Sequence, residues 1–412
     1  MNKAELAFKA IDIFFDLPQN VIRFPGIVRI ENLAYSDKSA EYTVGDLYFK
    51  KEILADGQKH PVLLYIHGGG FIAGDKEYRV TNSEYFADKG FFVFNINHRM
   101  PPDVALPENI NDCIDALNFI EEIAKFYNID TDRIVISGDS SGAYETSFVA
   151  ASVFDDELRE ALKIKKAKFR PAALALMCGL YDLHKLMDGP GMVGIVPEMC
   201  SMILNFKLDR KMKNHTEYEN IDYISPVNFI NKNWCPVFIT WAKEDFMCVD
   251  QGEPFADTLE ENGVTVYSHM VEGFRNNHCY HLNLYRKTAK KCMNTCVNFL
   301  YDILGMPYEK LPTENLISEE NPETISRRER FEAIKESGKE KLEDIKETGM
   351  EKLEDIKEAG KEKLDSFRDS GKEKFDSIKD TSKEKFEDIK ESGKEKFSDI
   401  KENIKKKSKQ KG

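Results

Sequence analysis

The chain has 412 residues, which exceeds one ordinary domain, and residues 1–306 suffice for one large α/β domain with a buried core. Its formal net charge of -13, from 59 basic and 72 acidic side chains, argues against a nucleic-acid partner. No window reaches about eighteen uncharged apolar residues and the N-terminus lacks a signal-peptide pattern, so the sequence predicts a cytoplasmic protein without a transmembrane helix.

The first predicted elements are strand-like runs near 26–31 and 40–49, which favour an antiparallel start to a sheet. The charged connection from Lys51 to His60 contains Asp56-Gly57, a pair typical of tight turns. We therefore expect a hairpin there, leading into the next strand at 62–66.

A glycine-rich string, His67-Gly68-Gly69-Gly70-Phe71, follows the strand at 62–66. Glycines after a strand let backbone N–H groups approach a reacting carbonyl closely and face the oxyanion that forms when a serine attacks an ester. Gly69 and Gly70 are therefore predicted oxyanion donors, with the N–H of Ser141 as a third.

The string Gly138-Asp139-Ser140-Ser141-Gly142 lies between a strand-like run at 133–137 and a helical stretch at 141–153. A strand, Gly-x-Ser-x-Gly and a helix in this order are the context of a nucleophile elbow. The turn is so tight that the residues two before and two after the serine must be nearly free of side chains. Ser140 is the predicted nucleophile.

A nucleophilic serine needs a base and an orienting carboxylate, which follow it along the chain as acid and then histidine. The strand-like run at 236–241 leads to Asp245, the predicted acid, with Glu244 and Asp250 as alternatives. The run at 264–271 leads to a loop containing His278, the predicted base. Two other histidines compete less well: His281 at the start of the next helix and His269 inside the strand.

Strand-like runs at 91–96 and 171–177 complete the series, and helical stretches near 105–127, 250–262 and 281–303 separate the runs. This alternation predicts an α/β fold with a mostly parallel sheet and helices on both faces. Two segments lie outside that plan, about 1–25 and 183–230. We expect them to form an apolar cap that shapes an acyl pocket and excludes water, with ordinary core packing as the alternative.

After a predicted linker at 307–330, residues 331–412 form a charged tail that repeats every eleven residues. Each repeat carries two apolar positions three residues apart, such as Leu342 and Ile345, and lysines flank that stripe on a helical projection. The pattern resembles lipid-surface proteins such as apolipoproteins and synucleins, and predicts a conditional helix on a membrane or lipid droplet. The alternatives are a solvated, disordered chain and a coiled coil that joins copies of the protein.

The eight cysteines follow no disulfide or zinc-site spacing. The sequence therefore predicts reduced thiols and no metal site.

Taken together, these motifs resemble the hormone-sensitive-lipase-like branch of the α/β-hydrolase superfamily over residues 26–303. The resemblance also uses Asn97-His98-Arg99-Met100-Pro101-Pro102, Leu106-Pro107, Asp112, Ser225-Pro226 and Asp250. It implies a serine carboxylesterase without a cofactor, its triad on Ser140, Asp245 and His278 and its oxyanion donors on Gly69, Gly70 and Ser141. The sequence departs from the family where Ser141 replaces the usual alanine, and after the acid and the histidine, where Phe246-Met247 and Cys279-Tyr280 stand.

The predicted activity is hydrolysis of small-molecule or lipid esters. Amide or carbohydrate acetyl hydrolysis would use the same machinery. The alternative from another class is a non-catalytic ligand-binding or scaffold protein on the same fold, which a covalent serine-hydrolase probe would not label.

Overall fold

The computed structural model describes residues 22–189, 195–273 and 276–314, together with Ala4, Phe8, Gln19, Asn20 and Leu316. By its contacts the chain divides into two units, Met1–Phe331 and Glu332–Gly412. The predicted tail at 331–412, most of the linker at 307–330 and most of the cap segment at 1–25 lie outside the described residues. Their predicted roles therefore stay predictions.

The sheet has eight strands in the spatial order β1-β2-β4-β3-β5-β6-β7-β8. β1 pairs with β2 and β2 with β4 in antiparallel fashion, and every pair from β4 onward in that order is parallel. The strands are β1 (Ile27–Ala34), β2 (Val44–Lys50), β3 (His60–Ile66), β4 (Phe92–Ile96), β5 (Ile129–Asp139), β6 (Ala173–Met177), β7 (Val237–Ala242) and β8 (Val266–Val271).

Helices cover both faces of this sheet because its central strands are apolar on both sides. Along β3, Val62, Leu64 and Ile66 join one buried cluster, and Leu63 and Tyr65 join the other. α2, α3 and α7 pack into the first cluster and α1 and α8 into the second. The helices are α1 (Val80–Asp88), α2 (Glu108–Ile123), α3 (Ser141–Phe154), α4 (Asp156–Ala161), α5 (Leu183–Asp188), α6 (Val196–Leu204), α7 (Gly252–Glu261) and α8 (Lys287–Ile303). The predicted α/β-hydrolase fold is confirmed.

The predicted hairpin between Lys51 and His60 is wrong. β4 lies between β2 and β3, so the strands on either side of the Asp56-Gly57 turn do not pair. Turn residues report where a chain reverses, whereas strand pairing depends on which apolar surfaces meet. All five residues of β4 are fully buried, which suits a central position.

The sequence pattern did not predict α1, which links β3 to β4. Its buried face includes three polar residues, Thr81, Asn82 and Ser83, so the helix lacks a clear apolar stripe. The side chains of Thr81 and Ser83 are satisfied by backbone contacts instead, since their hydroxyls donate to the carbonyls of Ile22 and Arg79.

Two further findings concern the whole described part of the chain. Within these residues, no helix combines the length and apolar character that crossing a bilayer requires. All eight cysteines carry free thiols, and all but Cys248 are buried.

Candidate active site

Ser140 occupies a strained turn between the end of β5 and the start of α3. Its backbone φ of 54° and ψ of −120° lie in a region that side-chain-bearing residues rarely adopt. A Cβ added to Gly138 would lie 2.2 Å from the Gly142 carbonyl, and one added to Gly142 would lie 2.2 Å from the Ile66 carbonyl. Both glycines are therefore sterically required, for the reason that the sequence motif indicates.

The structure brings the three predicted triad residues together. The Nε2 atom of His278 lies 2.9 Å from the Ser140 Oγ, and its Nδ1 atom lies 2.8 Å from Oδ2 of Asp245. The other oxygen of Asp245 accepts the N–H groups of Met247 and Cys248 at 2.8 and 2.9 Å. The carboxylate is thus held in place by its own loop and orients the imidazole toward the serine.

The electrostatics of this contact favour a charged Asp245–His278 pair. Burial alone would raise the pKa of Asp245, but His278 and the two loop N–H groups outweigh it and lower the pKa. Burial alone would lower the pKa of His278. The Asp245 carboxylate opposes that effect and raises the pKa of His278, because it stabilises the imidazolium.

The alternative acids and histidines make other contacts in the structure. Glu244 accepts the N–H of Gly273, and the carbonyl of Asp250 accepts a hydrogen bond from Lys185. His281 is fully buried, which lowers its pKa to about 3, and its Nδ1 atom lies 4.0 Å from the Cys178 Sγ. His269 remains within β8, beside the ring of Phe238.

The predicted oxyanion donors lie around the serine, but one is already engaged. The N–H of Gly69 donates to the side-chain oxygen of Ser141 at 3.1 Å. Gly70 adopts a φ of 61° directly under the ring of Phe8, where a Cβ would lie 2.3 Å from the ring. Ser141 is the first residue of α3, so its N–H has no partner within the helix and is free to face a ligand.

Sequence reasoning missed the ion pair that lies beside Ser140. Both oxygens of Asp139 accept hydrogen bonds from the Arg79 guanidinium at 2.7 Å, and both residues are buried. Burial opposes ionisation of Asp139, yet the charge of Arg79 lowers its pKa. The pair ties the start of α1 to the end of β5 and so braces the turn that carries Ser140. No local pattern links two residues sixty positions apart in the sequence.

Two cavities meet at Ser140. The larger, of about 490 Å³, lies against the segment between β6 and β7 and has a mainly apolar wall. The smaller, of about 180 Å³, lies on the His278 side and includes Tyr78, Arg79 and Asn277. Phe8 lines both cavities, and the N–H of Ala4 donates to Glu198 on α6, so the described N-terminal residues contact the same region. The apolar wall of the larger cavity includes Phe71, Leu180, Leu186, Ile195, Val196 and Met199.

Two groups of potential metal ligands occur among the described residues. His98, Cys113 and Glu145 are fully buried, and Nε2 of His98 lies 3.0 Å from Glu145 Oε2, which makes a buried pair in the core. The second group is Asp245, Cys248 and His278, beside the serine.

Comparison with known proteins gives one matching family model, BD-FAE, which covers residues 46–259, just over half of the chain. Lipase 2 of Moraxella sp. is 25% identical over 238 residues, which are 51% of this chain and 53% of that protein. Tuliposide A-converting enzyme 1 of Tulipa gesneriana is 24% identical over 266 residues, covering 60% of this chain and 64% of that enzyme. The chain thus spans from about half to two thirds of the length of these relatives.

Solved structures share the fold at low sequence identity. Inhibited esterase B from Lactobacillus rhamnosis has a TM-score of 0.65 at 18% identity, covering 73% of this chain and 96% of that one. A hormone-sensitive lipase from a metagenome library has a TM-score of 0.55 at 17% identity, covering 74% of this chain and 92% of that one.

Proposed function

Because the chain belongs to the BD-FAE family, an esterase- and lipase-like group of the α/β-hydrolase superfamily, we propose that it is a serine carboxylesterase that works through an acyl-enzyme. The observation that carries the proposal is the continuous contact from Ser140 through His278 to Asp245. A receptor built on this fold would not need a base in contact with the serine and a carboxylate behind that base.

In the proposed reaction, Ser140 Oγ attacks the ester carbonyl while Nε2 of His278 takes its proton. The imidazolium then returns the proton to the leaving alcohol, which departs from the acyl-enzyme. A water molecule repeats the sequence and releases the acid. Asp245 holds the proton of neutral His278 on Nδ1 and stabilises the charged form.

The oxyanion of each tetrahedral intermediate is proposed to bind the N–H groups of Gly70, Ser141 and Gly69. Such donors contribute most when they are aimed in advance at the developing charge, and one donor is worth about 2.7–4 kcal/mol of barrier. The Gly69 N–H must exchange its bond with the Ser141 hydroxyl before it contributes.

The two cavities suggest how the substrate lies. His278 must pass its proton to the leaving oxygen, so the alcohol is placed in the smaller cavity, whose wall includes His278. The acyl chain then takes the larger, apolar cavity. Its volume of about 490 Å³ falls within the range of about 300–1,000 Å³ that is common for small-molecule sites.

The tail at 331–412 is proposed to hold the enzyme on an anionic membrane or lipid-droplet surface. The support is its eleven-residue apolar stripe, flanked by lysines, and the basic end at Lys405-Lys406-Lys407. In that location the enzyme would meet lipid esters at high local concentration.

The experiment that tests the activity is hydrolysis of nitrophenyl acetate, butyrate and decanoate by the purified full chain beside Ser140→Ala. We expect turnover that the substitution abolishes while the fold, followed by circular dichroism, is retained. Turnover near the wild-type rate in Ser140→Ala would disprove the role of the serine. Failure of a fluorophosphonate probe to label the folded protein would favour the ligand-binding alternative.

A further inference from the structure

A third potential metal ligand lies beside the proposed acid and base. One ligand atom each of Asp245, Cys248 and His278 lies within 4.8 Å of the other two. A carboxylate, a thiolate and an imidazole are the groups that bind zinc in proteins. Cys248 is the one cysteine of the eight that is not buried, and it contributes to the wall of the larger cavity. Cys248 therefore offers an entering ion a first ligand at the wall of that cavity.

The backbone of the loop after β7 brings the Cys248 thiol close to the Asp245 carboxylate. The N–H groups of Met247 and Cys248 both donate to Oδ1 of Asp245, which folds the loop after β7 back over the carboxylate. The other oxygen, Oδ2, faces Nδ1 of His278 at 2.8 Å. Because the loop is held by backbone donors, removing the Cys248 side chain leaves those two hydrogen bonds in place.

We propose that Asp245, Cys248 and His278 form a binding site for zinc or another thiophilic divalent cation, and that the bound cation blocks ester hydrolysis. The cation replaces the proton of the hydrogen bond between Oδ2 of Asp245 and Nδ1 of His278 and binds Nδ1. The two atoms, which lie 2.8 Å apart, must separate to about 3.3 Å to hold a tetrahedral zinc ion with bonds of about 2.0–2.2 Å. A neutral imidazole bound through Nδ1 carries its proton on Nε2. His278 then presents a donor to Ser140 in place of an acceptor, and no base remains to take the serine proton.

Metal binding displaces protons from two of the three ligands. The Cys248 thiol releases its proton to solvent when it binds the metal, since the thiolate is the ligand. At a pH where His278 is neutral, its proton moves from Nδ1 to Nε2 and one proton is released per cation. Where His278 is an imidazolium, two protons are released.

Metal binding does not depend on the proposed function, whereas inhibition does, so two measurements are needed. In the first, cadmium chloride is titrated into full-length Ser140→Ala and the ultraviolet absorption of the cadmium–thiolate bond is followed. We expect a saturable band that the additional substitution Cys248→Ala removes. Cys235→Ala, which removes a buried thiol outside the group, should leave the band unchanged. Persistence of the full band without Cys248 would overturn the site.

The second measurement follows nitrophenyl butyrate hydrolysis by the wild-type chain against zinc chloride, with reversal by EDTA. Outer-shell partners of a metal are worth about 10–100-fold in affinity, so losing a direct ligand should raise the inhibitory zinc concentration at least about tenfold in Cys248→Ala. Each variant is compared with its own metal-free rate. Equal zinc sensitivity of Cys248→Ala and the wild type would refute the proposal. Absence of any ester turnover would refute the proposed function, and the cadmium titration would still test the site.

Discussion

At the scale of single residues, the hydroxyl of Ser141 sets this site apart from the alanine that is usual in the resembled family. It accepts the N–H of Gly69, one of the three proposed oxyanion donors. A hydrogen bond that exists in the ground state and must be given up in the transition state slows a reaction. The Ser141 hydroxyl therefore weakens the stabilisation of the oxyanion that is proposed for the Gly69 N–H.

Ser141→Ala should raise kcat because it frees the Gly69 N–H. A hydrogen bond is worth about 0.5–1.5 kcal/mol net, which corresponds to a roughly two- to tenfold faster reaction. The measurement is kcat for nitrophenyl butyrate beside the affinity for a boronic-acid transition-state analogue, which should also increase. A lower kcat would mean that the hydroxyl itself donates to the oxyanion.

The pKa shifts of Asp245 and His278 lead to a prediction about pH. Nε2 of His278 must be unprotonated to take the serine proton, so activity falls as the pH drops through the pKa of His278. Asp245 raises that pKa and so moves the acid limb of the rate profile to higher pH than the same histidine would give without the carboxylate.

Asp245→Asn should move this acid limb to lower pH and reduce kcat on the order of 10⁴-fold, because the asparagine favours the wrong tautomer of His278. The measurement is kcat/KM against pH for the variant and the wild type. Glu244→Gln is the matched control, since Glu244 is exposed and its contact with the Gly273 N–H survives in glutamine. An unchanged acid limb in Asp245→Asn would contradict the assignment of the charge partner.

At the scale of elements, the segment between β6 and β7 shapes the larger cavity, in which the acyl chain is proposed to lie. α6 presents Met199 to the larger cavity, and this side chain is 6% exposed. A methionine there can adjust to different ligands, whereas a rigid ring cannot.

Met199→Trp should shorten the acceptable acyl chain. If the ring displaces two or three methylenes, at about 0.8 kcal/mol each, kcat/KM for nitrophenyl decanoate should fall about ten- to fiftyfold. Turnover of nitrophenyl acetate is the internal control and should change little. An equal loss on both esters would indicate a damaged site or an acyl chain bound elsewhere.

A comparison of the predicted with the observed elements shows which sequence patterns predict structure well. Strands such as 62–66 and 236–241 were predicted within two residues of β3 and β7, because buried parallel strands are continuous apolar runs. The strand pairing around Lys51–His60 was predicted wrongly, since β4 follows β3 in the chain but lies between β2 and β3 in the sheet. α1 was missed because its buried polar residues break the apolar stripe.

At the scale of the whole molecule, the role proposed for the tail at 331–412 is independent of the proposed triad. A helix with lysines on both sides of an apolar stripe binds anionic bilayers in two ways. It buries the stripe in the headgroup region, and its lysines are attracted to the anionic lipids; this attraction weakens as the salt concentration rises.

Deletion of 327–412 should abolish co-sedimentation with vesicles of phosphatidylcholine and phosphatidylserine. It should leave kcat/KM for nitrophenyl acetate within about twofold, because the proposed triad and its cavities lie in Met1–Phe331. The matched control is the full chain at high salt, where binding should weaken. No binding of the full chain to anionic vesicles at low salt would contradict the tail proposal.

By itself, the sequence determined the fold class and singled out Ser140 as the proposed nucleophile, because the glycines of Gly138-Asp139-Ser140-Ser141-Gly142 and of His67-Gly68-Gly69-Gly70-Phe71 are required by local geometry. Local strings cannot state which distant groups will touch. Choosing Asp245 and His278 among neighbouring acids and histidines depended on which histidine reaches Ser140 and which acid reaches that histidine, and only the packed sheet decided that. The same holds for the Arg79–Asp139 pair, the contact of Ser141 with Gly69 and the proximity of Cys248 to Asp245. Each arises from packing between separate elements, which residue type and spacing do not encode.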